Sequence, residues 1–406
     1  MSGDGMIKIF AGSASKEFAA QMCDYLGSPM GKCTTHIFSE GNTFVRIDES
    51  IRDKDVYFVQ TLGLDPNNEF TELLFFLDAF KRASANSVTA IIPYFSYAKG
   101  DKKDEPRVSI RGRVCAECIE LAGADRVVTM DLHAAQVQGF FKKPVDHLYA
   151  QDLLCAYARY LGIVDDNLVV VSPDAGSAKR ARMMANELGC AVAIGDKTRT
   201  GHDENAKVLE IIGDVKGKNC IIVDDFTISG GTLVDVAHGL KDKGANDIYA
   251  FLSHVVLREK GVKKIEESPI KLLVSTDTVN CPAVKGHDKI KILSAAPMFA
   301  EAVRHIHDRM SMSNLFDNPS QRMLTMSFAK QMSLDGLYYI KKPAKKLWVV
   351  KGPQSLKFIP ALTTCASKRM KTQGFRSLRV LPPGSECERQ NAKKIAKVGF
   401  SHFCEK

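Results

Sequence analysis

Residues 221–236 read IIVDDFTISGGTLVDV. An apolar, β-branched run ends in two adjacent carboxylates, Asp224 and Asp225. A stretch rich in Gly, Ser and Thr follows, and then a pattern that predicts a helix. Such a turn between a strand and a helix start aims backbone N–H groups at one spot, and the helix dipole adds partial positive charge there. Gly230 and Gly231 let the backbone come close, and Ser229 and Thr232 add hydroxyl donors. This is a cradle for a phosphate. The two acids cannot hold that phosphate, so they serve another part of the same ligand, either sugar hydroxyls or a divalent cation. A ribose phosphate supplies both needs.

The surroundings of this stretch predict an α/β fold. Strand candidates fall at 6–10, 55–60, 88–94, 126–131, 168–172, 190–195, 219–225, 247–254 and 271–276. Helical patterns lie between them, at 15–26, 69–83, 109–122, 177–188, 231–243 and 297–309. Strands that are apolar throughout and separated by helices imply a mainly parallel sheet covered on both faces. The pattern occurs twice, and each half has an acidic strand end: VVTMDLH at 127–133 and IIVDDF at 221–226. Two similar domains are expected, at 1–148 and 149–316, with ligands at the carboxyl ends of the strands. The last helix of the second is placed to pack back on the first.

Three further strand ends carry candidate chemistry. His133 follows a strand beside Asp131, in position to bind a nucleotide or its Mg²⁺. SPDAG (172–176) places Asp174 in the same layer. One carboxylate plus substrate phosphates is a reasonable Mg²⁺ site. GDKTRT (195–200) carries Lys197 and Arg199, two apart and therefore on one side of an extended loop. Cations there can close over a transferring phosphoryl group.

Composition bounds the function. The chain of 406 residues has a net charge of +9, but residues 317–406 carry 18 Lys/Arg against 5 Asp/Glu, leaving 38 against 42 in the first 316. The body is mildly acidic and one irregular tail makes the protein basic, which argues against nucleic-acid binding. No apolar run reaches the roughly 18 residues of a membrane span. The N-terminus, MSGDGMIKIF, lacks a signal-peptide layout. The eleven Cys are scattered, as suits free thiols in a reducing compartment, and a cytoplasmic protein is expected. Cys115 and Cys118 form a C-x-x-C inside a helical pattern without a second pair, which speaks against a metal site there.

From Met6 to Phe316 the chain resembles the ribose-phosphate diphosphokinase family. The resemblance is carried by KIFAGSAS, RIDESIRDKDV, TMDLHAAQVQGFF, VDHLYA, SPDAG, VDDFTISGGTL and AEAVRHIH. It implies two phosphoribosyltransferase-like domains and transfer of the diphosphoryl group of ATP to the C1 hydroxyl of ribose 5-phosphate, with Mg²⁺, releasing AMP. By the same resemblance, Asp224, Asp225, Thr227, Ser229, Gly230, Gly231 and Thr232 hold ribose 5-phosphate. His133 and Asp174 stand around Mg²⁺ and the phosphates, and Lys197 and Arg199, with His133, are catalytic. Phe38, Glu40, Asn42, Lys99, Asp101 and His133 hold ATP. Phe38–Asn42 reaches the site of a neighbouring subunit in a homo-oligomer built from dimers, up to a hexamer.

The chain departs from the family at several places. Asn42 replaces the second acid of a common pair, and Lys99-Gly100 replaces Arg-Gln. Ile228 stands where a third carboxylate is common, and Asp104 and Glu105 interrupt a basic stretch associated with phosphate regulation. A non-catalytic regulatory relative would be expected to lack loop cations or metal-site groups, and this chain has both. A phosphoribosyltransferase would need only one such domain.

Overall fold

The fold is described from a computed structural model. It describes residues 7–199, 207–313, 315, 320–334, 338–341 and 348–351, with backbone alone at 197–199, 207–209, 321 and from 329 onward. Two compact units are distinguished, 1–337 and 338–406.

The first half begins with β1 (Ile7–Ala11) and α1 (Lys16–Leu26), followed by a hairpin of β2 (Cys33–Ile37) and β3 (Thr43–Ile47). Then come β4 (Asp55–Val59), α2 (Pro66–Arg82), β5 (Ser87–Ile92), α3 (Arg111–Leu121), β6 (Arg126–Met130) and β7 (Val145–Leu148). The sheet is parallel throughout, in the order β1-β4-β5-β6-β7. Pro66 opens α2 with a backbone angle already helical, and Lys81 and Arg82 close it against the dipole. Its buried Leu73, Phe76, Leu77 and Phe80 share one face. Phe76 and Phe80 pack on Phe58 with ring centroids 4.7 and 5.5 Å away, and Phe10 meets Phe80 at 5.0 Å. This aromatic cluster anchors α2 to the sheet.

The second half contains α4 (Gln151–Tyr160), β8 (Leu168–Ser172), α5 (Ala178–Leu188), β9 (Ala191–Arg199), β10 (Lys207–Ile212), β11 (Asn219–Thr227), α6 (Gly231–Asp242), β12 (Ile248–Val255), α7 (Glu259–Glu267), β13 (Ile270–Thr276), β14 (Ile290–Leu293) and α8 (Ala296–His307). Its seven strands run β10-β9-β8-β11-β12-β13-β14, parallel except for the β9–β10 pair. Every residue of β12 is buried, as a strand covered on both faces requires.

α8 crosses back to α1. Phe299 meets Phe18 edge-on at 5.4 Å, and the Tyr25 hydroxyl bonds to Glu301. α8 buries residues all round its circumference, as befits a helix held between layers.

The structure adds β7, α4, β10, α7 and β14 to the elements expected from the sequence, and differs from it more instructively in three places. The hairpin β2–β3 escaped notice because its residues are half-exposed and carry no buried stripe. Residues 195–199 are strand, not loop: β9 runs on to Arg199 because β10 supplies a partner, with Lys197 opposite Leu209 and Arg199 opposite Lys207. The extension after 316, expected to be irregular, begins with the helix α9 (Gln321–Leu334). Phe328 of α9 packs on Tyr157 at 5.4 Å, and Arg322 lies over the Tyr25 ring at 4.3 Å, so exposed apolar ground on the body folds it. By itself, the second unit shows a hairpin pairing Tyr338–Lys341 with Trp348–Lys351. Residues 352–406 lie outside the described residues.

Candidate active site

The strand ends of both halves converge on one cavity of about 910 Å³, as the rule for open α/β sheets predicts. Lys99, Asp101, His133, Asp174, Asp224 and Asp225 all line it. These residues come from both halves of the chain, so the cavity lies between them.

A network of charges joins the halves. His133 Nδ1 is 2.7 Å from Asp225 Oδ2 and donates to it. Arg180, on the first turn of α5, reaches Asp131 Oδ1 at 3.2 Å and Asp225 Oδ2 at 3.9 Å. Asp131 Oδ2 also accepts from the Ser253 hydroxyl at 2.6 Å and the Ala150 N–H at 2.8 Å. Asp131 itself has φ of 40°, a left-handed conformation that Asp tolerates better than most residues. Behind it, fully buried His254 donates from Nε2 to the Met130 carbonyl at 3.1 Å and accepts at Nδ1 from Thr278 at 2.7 Å. Burial holds this imidazole below its ordinary value, consistent with a neutral ring used as a spacer.

The two adjacent acids are made unlike by their neighbours. Burial pushes Asp224 well above the usual carboxylate range, and the Asp225 charge adds to this. Burial would raise Asp225 as well, but the His133 bond and the Arg180 guanidinium outweigh it and hold Asp225 low. The same bond to Asp225 raises His133 against the opposing effect of burial. Asp224 keeps polar partners at Oδ1, the Ser177 hydroxyl at 3.1 Å and the Asp225 N–H at 2.9 Å.

Asp174 accepts the Ser177 N–H at 2.8 Å. Among the described residues no three His, Cys, Asp or Glu side chains cluster as a ready metal cage. The carboxylates lining the cavity, Asp174 and Asp224 among them, are oxygen donors of the kind Mg²⁺ takes, its other positions going to water and phosphate oxygens. On the opposite wall Lys99 Nζ sits over the Phe226 ring at 4.8 Å, and Phe226 meets His133 at 5.4 Å. Asp101 accepts from Gln136 at 2.6 Å. Lys102 pairs with Asp104 at 3.6 Å at the rim.

The glycine turn stands beyond the end of β11. Gly230 has φ of 73°, and α6 begins at Gly231. Ser229, Thr232 and Ile228 are exposed, while Thr227 is buried and closes the strand by accepting the Val256 N–H at 2.9 Å. These residues are not among those lining the cavity. Nor are Phe38, Glu40 and Asn42, which form the exposed tip of the β2–β3 hairpin, closed by the Phe38 N–H to the Asn42 carbonyl at 2.9 Å. His36 and Phe44 stack edge-on against Phe38 there. The side chains of Lys197 and Arg199 lie outside the described residues.

Sequence reasoning missed Arg180, Ser253 and His254. Arg180 stands among Lys179 and Arg182, a basic turn that reads as solvent-facing. What marks it is tertiary, two acids at the ends of two different strands.

Residues 7–123 match a family model described as the N-terminal domain of ribose phosphate pyrophosphokinase, and residues 201–317 match a phosphoribosyl synthetase-associated domain. The ribose-phosphate pyrophosphokinase of Caldanaerobacter subterraneus subsp. tengcongensis is 46% identical over 310 residues, covering 76% of this chain and 98% of its own. That of Campylobacter jejuni subsp. jejuni is 44% identical over 309 residues, with 76% and 98% covered. The crystal structure of phosphoribosylpyrophosphate synthetase from Mycobacterium smegmatis superposes with a TM-score of 0.71 at 36% identity, over 75% of this chain and 99% of its own. The chain belongs to the ribose-phosphate pyrophosphokinase family.

Proposed function

We infer that the protein transfers the diphosphoryl group of ATP to the C1 hydroxyl of ribose 5-phosphate, forming phosphoribosyl pyrophosphate and AMP. The observation that carries this is the bond from His133 of the first half to Asp225 of the second, inside one shared cavity. A donor held by one half and an acceptor held by the other then meet at that bond.

The roles follow from chemistry at each position. The glycine turn and the start of α6 hold the 5-phosphate through backbone N–H groups and the Ser229 and Thr232 hydroxyls. Asp224 and Asp225 face the sugar. His133, fixed through Nδ1, keeps Nε2 for the phosphates or their metal, and Asp174 is the carboxylate for Mg²⁺. Bound there, Mg²⁺ would neutralise phosphate charge. Lys99 and Asp101 contact ATP, and Lys197 and Arg199 stabilise the diphosphoryl group in transit. Phosphoryl transfer leaves the protein positioning and electrostatic work, which charges arranged in advance perform. The exposed tip Phe38–Asn42, absent from the cavity wall of its own chain, supports a homo-oligomer in which it completes a neighbour's ATP site. Among the described residues no helix is long and apolar enough to cross a membrane. The eight cysteines among the described residues are all free thiols, which supports a reducing, cytoplasmic setting.

The test is to mix protein, ATP, Mg²⁺ and ribose 5-phosphate and follow products. AMP and phosphoribosyl pyrophosphate in equal amounts are expected. ADP in place of AMP, or no AMP at any phosphate concentration, would refute the reading.

A further inference from the structure

Two glycines bring the start of α3 against the turn that carries Lys99. The Gly112 N–H donates to the Gly100 carbonyl at 3.0 Å, and a Cβ on Gly112 would come within 3.2 Å of the Tyr97 carbonyl. Between them, Arg111 folds across the bare α-carbon of Gly100. A Cβ on Gly100 would stand 2.8 Å from Arg111 Nε and 2.9 Å from Arg111 Cβ, closer than side chains pack. Arg111 occupies this place because residue 100 has no side chain.

Among the described residues Arg111 makes no hydrogen bond or ion pair. Lys99 has no carboxylate partner there either; its ammonium rests on the Phe226 ring and lines the cavity. Burial lowers the Lys99 pKa, and the Arg111 guanidinium lowers it further, against a weaker opposing pull from Asp225. Two like charges are therefore held near each other by backbone packing, Lys99 on the cavity wall and exposed Arg111 beside its turn, and among the described residues neither has a carboxylate in salt-bridge contact. Such an arrangement is unfavourable in itself and becomes favourable when an anion of high charge arrives.

We propose that Arg111, seated over Gly100, forms with Lys99 a two-cation clamp on the phosphates of the nucleotide donor. Lys99 alone offers a point charge, whereas a guanidinium presents a planar fork matched to two phosphate oxygens. The glycine at 100 is then a functional choice that makes room for the fork. The proposal rests on the ATP reading above, and the experiment separates the two.

With the full chain, the KM for ATP, the KM for ribose 5-phosphate and kcat are measured, together with calorimetric binding of Mg-ATP alone. Arg111→Ala is expected to raise the KM and Kd for ATP roughly tenfold. It should leave kcat and the ribose 5-phosphate KM within about twofold. Gly100→Ala should produce the same defect with Arg111 still present, since its methyl group displaces the guanidinium. The double variant should be no worse than either single one, and Arg111→Lys should restore part of the affinity. Unchanged ATP affinity in both single variants overturns the clamp. So does a parallel loss of both KM values with a lowered melting temperature, which marks a structural role. If the wild-type protein forms no AMP yet binds ATP with Arg111-dependent affinity, the clamp stands and the diphosphoryl-transfer reading falls.

Discussion

Asp131 follows β6 in the first half, and Asp225 lies near the end of β11 in the second. Both are buried, at 7% and 4% exposure, yet they are used differently. Asp131 is saturated by the Ala150 N–H, the Ser253 hydroxyl and Arg180, and the chain after it turns through a short 3₁₀ segment at Ala135–Phe140. Asp225 takes His133, and a left-handed glycine and a twelve-residue helix follow it. The same architectural position is an anchor in one half and, on the function proposed above, a working group in the other. Each acid also draws partners from the opposite half, Ser253 and Arg180 for Asp131, His133 for Asp225. A duplicated fold has thus been wired crosswise: each strand-end acid takes a partner from the opposite half, and Arg180 of the second half reaches both.

Replacing each acid in turn should separate these roles. Asp225→Asn is expected to lower kcat roughly a hundredfold, because it loosens His133 and removes a fixed charge from the site. Asp131→Asn should act mainly on stability, costing about 3 kcal/mol as a buried pair is broken, with a smaller loss of kcat. Steady-state kinetics beside chemical denaturation would show this. If Asp131→Asn leaves stability intact and abolishes turnover, the two acids are equivalent and the contrast is wrong.

A subtler probe is Gly230→Ala. The residue has φ of 73°, and its new Cβ would meet the Gly261 carbonyl at 3.3 Å. A cost of about 1–2 kcal/mol in stability is expected from the left-handed backbone alone. The KM for ribose 5-phosphate should rise severalfold while that for ATP stays put, since the first half has no counterpart of this turn.

The smallest effect is in pH. His133 is raised in the folded state by Asp225, so its contribution is complete below the ordinary histidine value of 6.5 and lost as pH rises through its folded value. Raised Asp224 acts with the same sign, but from the ordinary carboxylate value of 3.8 upward. Asp225 is lowered, so its contribution holds above 3.8 and is lost only in acid. Above neutrality the melting temperature should therefore fall by about 1–2 °C, and His133→Gln should flatten that part of the curve. A rise with pH in the wild-type protein would contradict the pairing.

Most of the fold was legible because buried parallel strands write themselves as apolar runs: LVVVS at 168–172 is β8 to the residue. Half-exposed elements were not, and neither were the short strands β7 and β14 or the helices α4 and α7. β2, β3 and β10 take their shape from pairing rather than from a buried face, and α9 from the Tyr157 and Tyr25 surfaces it covers. At the site, residue types at strand ends pointed to His133, Asp174, Asp224 and Asp225. That Asp225 would be engaged by His133 could not be read, because the two residues are 92 positions apart and meet only through packing. Arg180 was hidden for the same reason.

The return of α8 to α1 also sets an order of events as the chain is made. Tyr25 finds its partner Glu301 only 276 residues later. A ribosome finishes every strand of both sheets before the helix that packs on α1 emerges. Until then the first half carries an uncovered apolar face, and closure between such distant segments is slow. Completion of the first domain is thereby tied to completion of the second, so a chain that stops short of Ala296 leaves the cell with two unfinished halves rather than one good one.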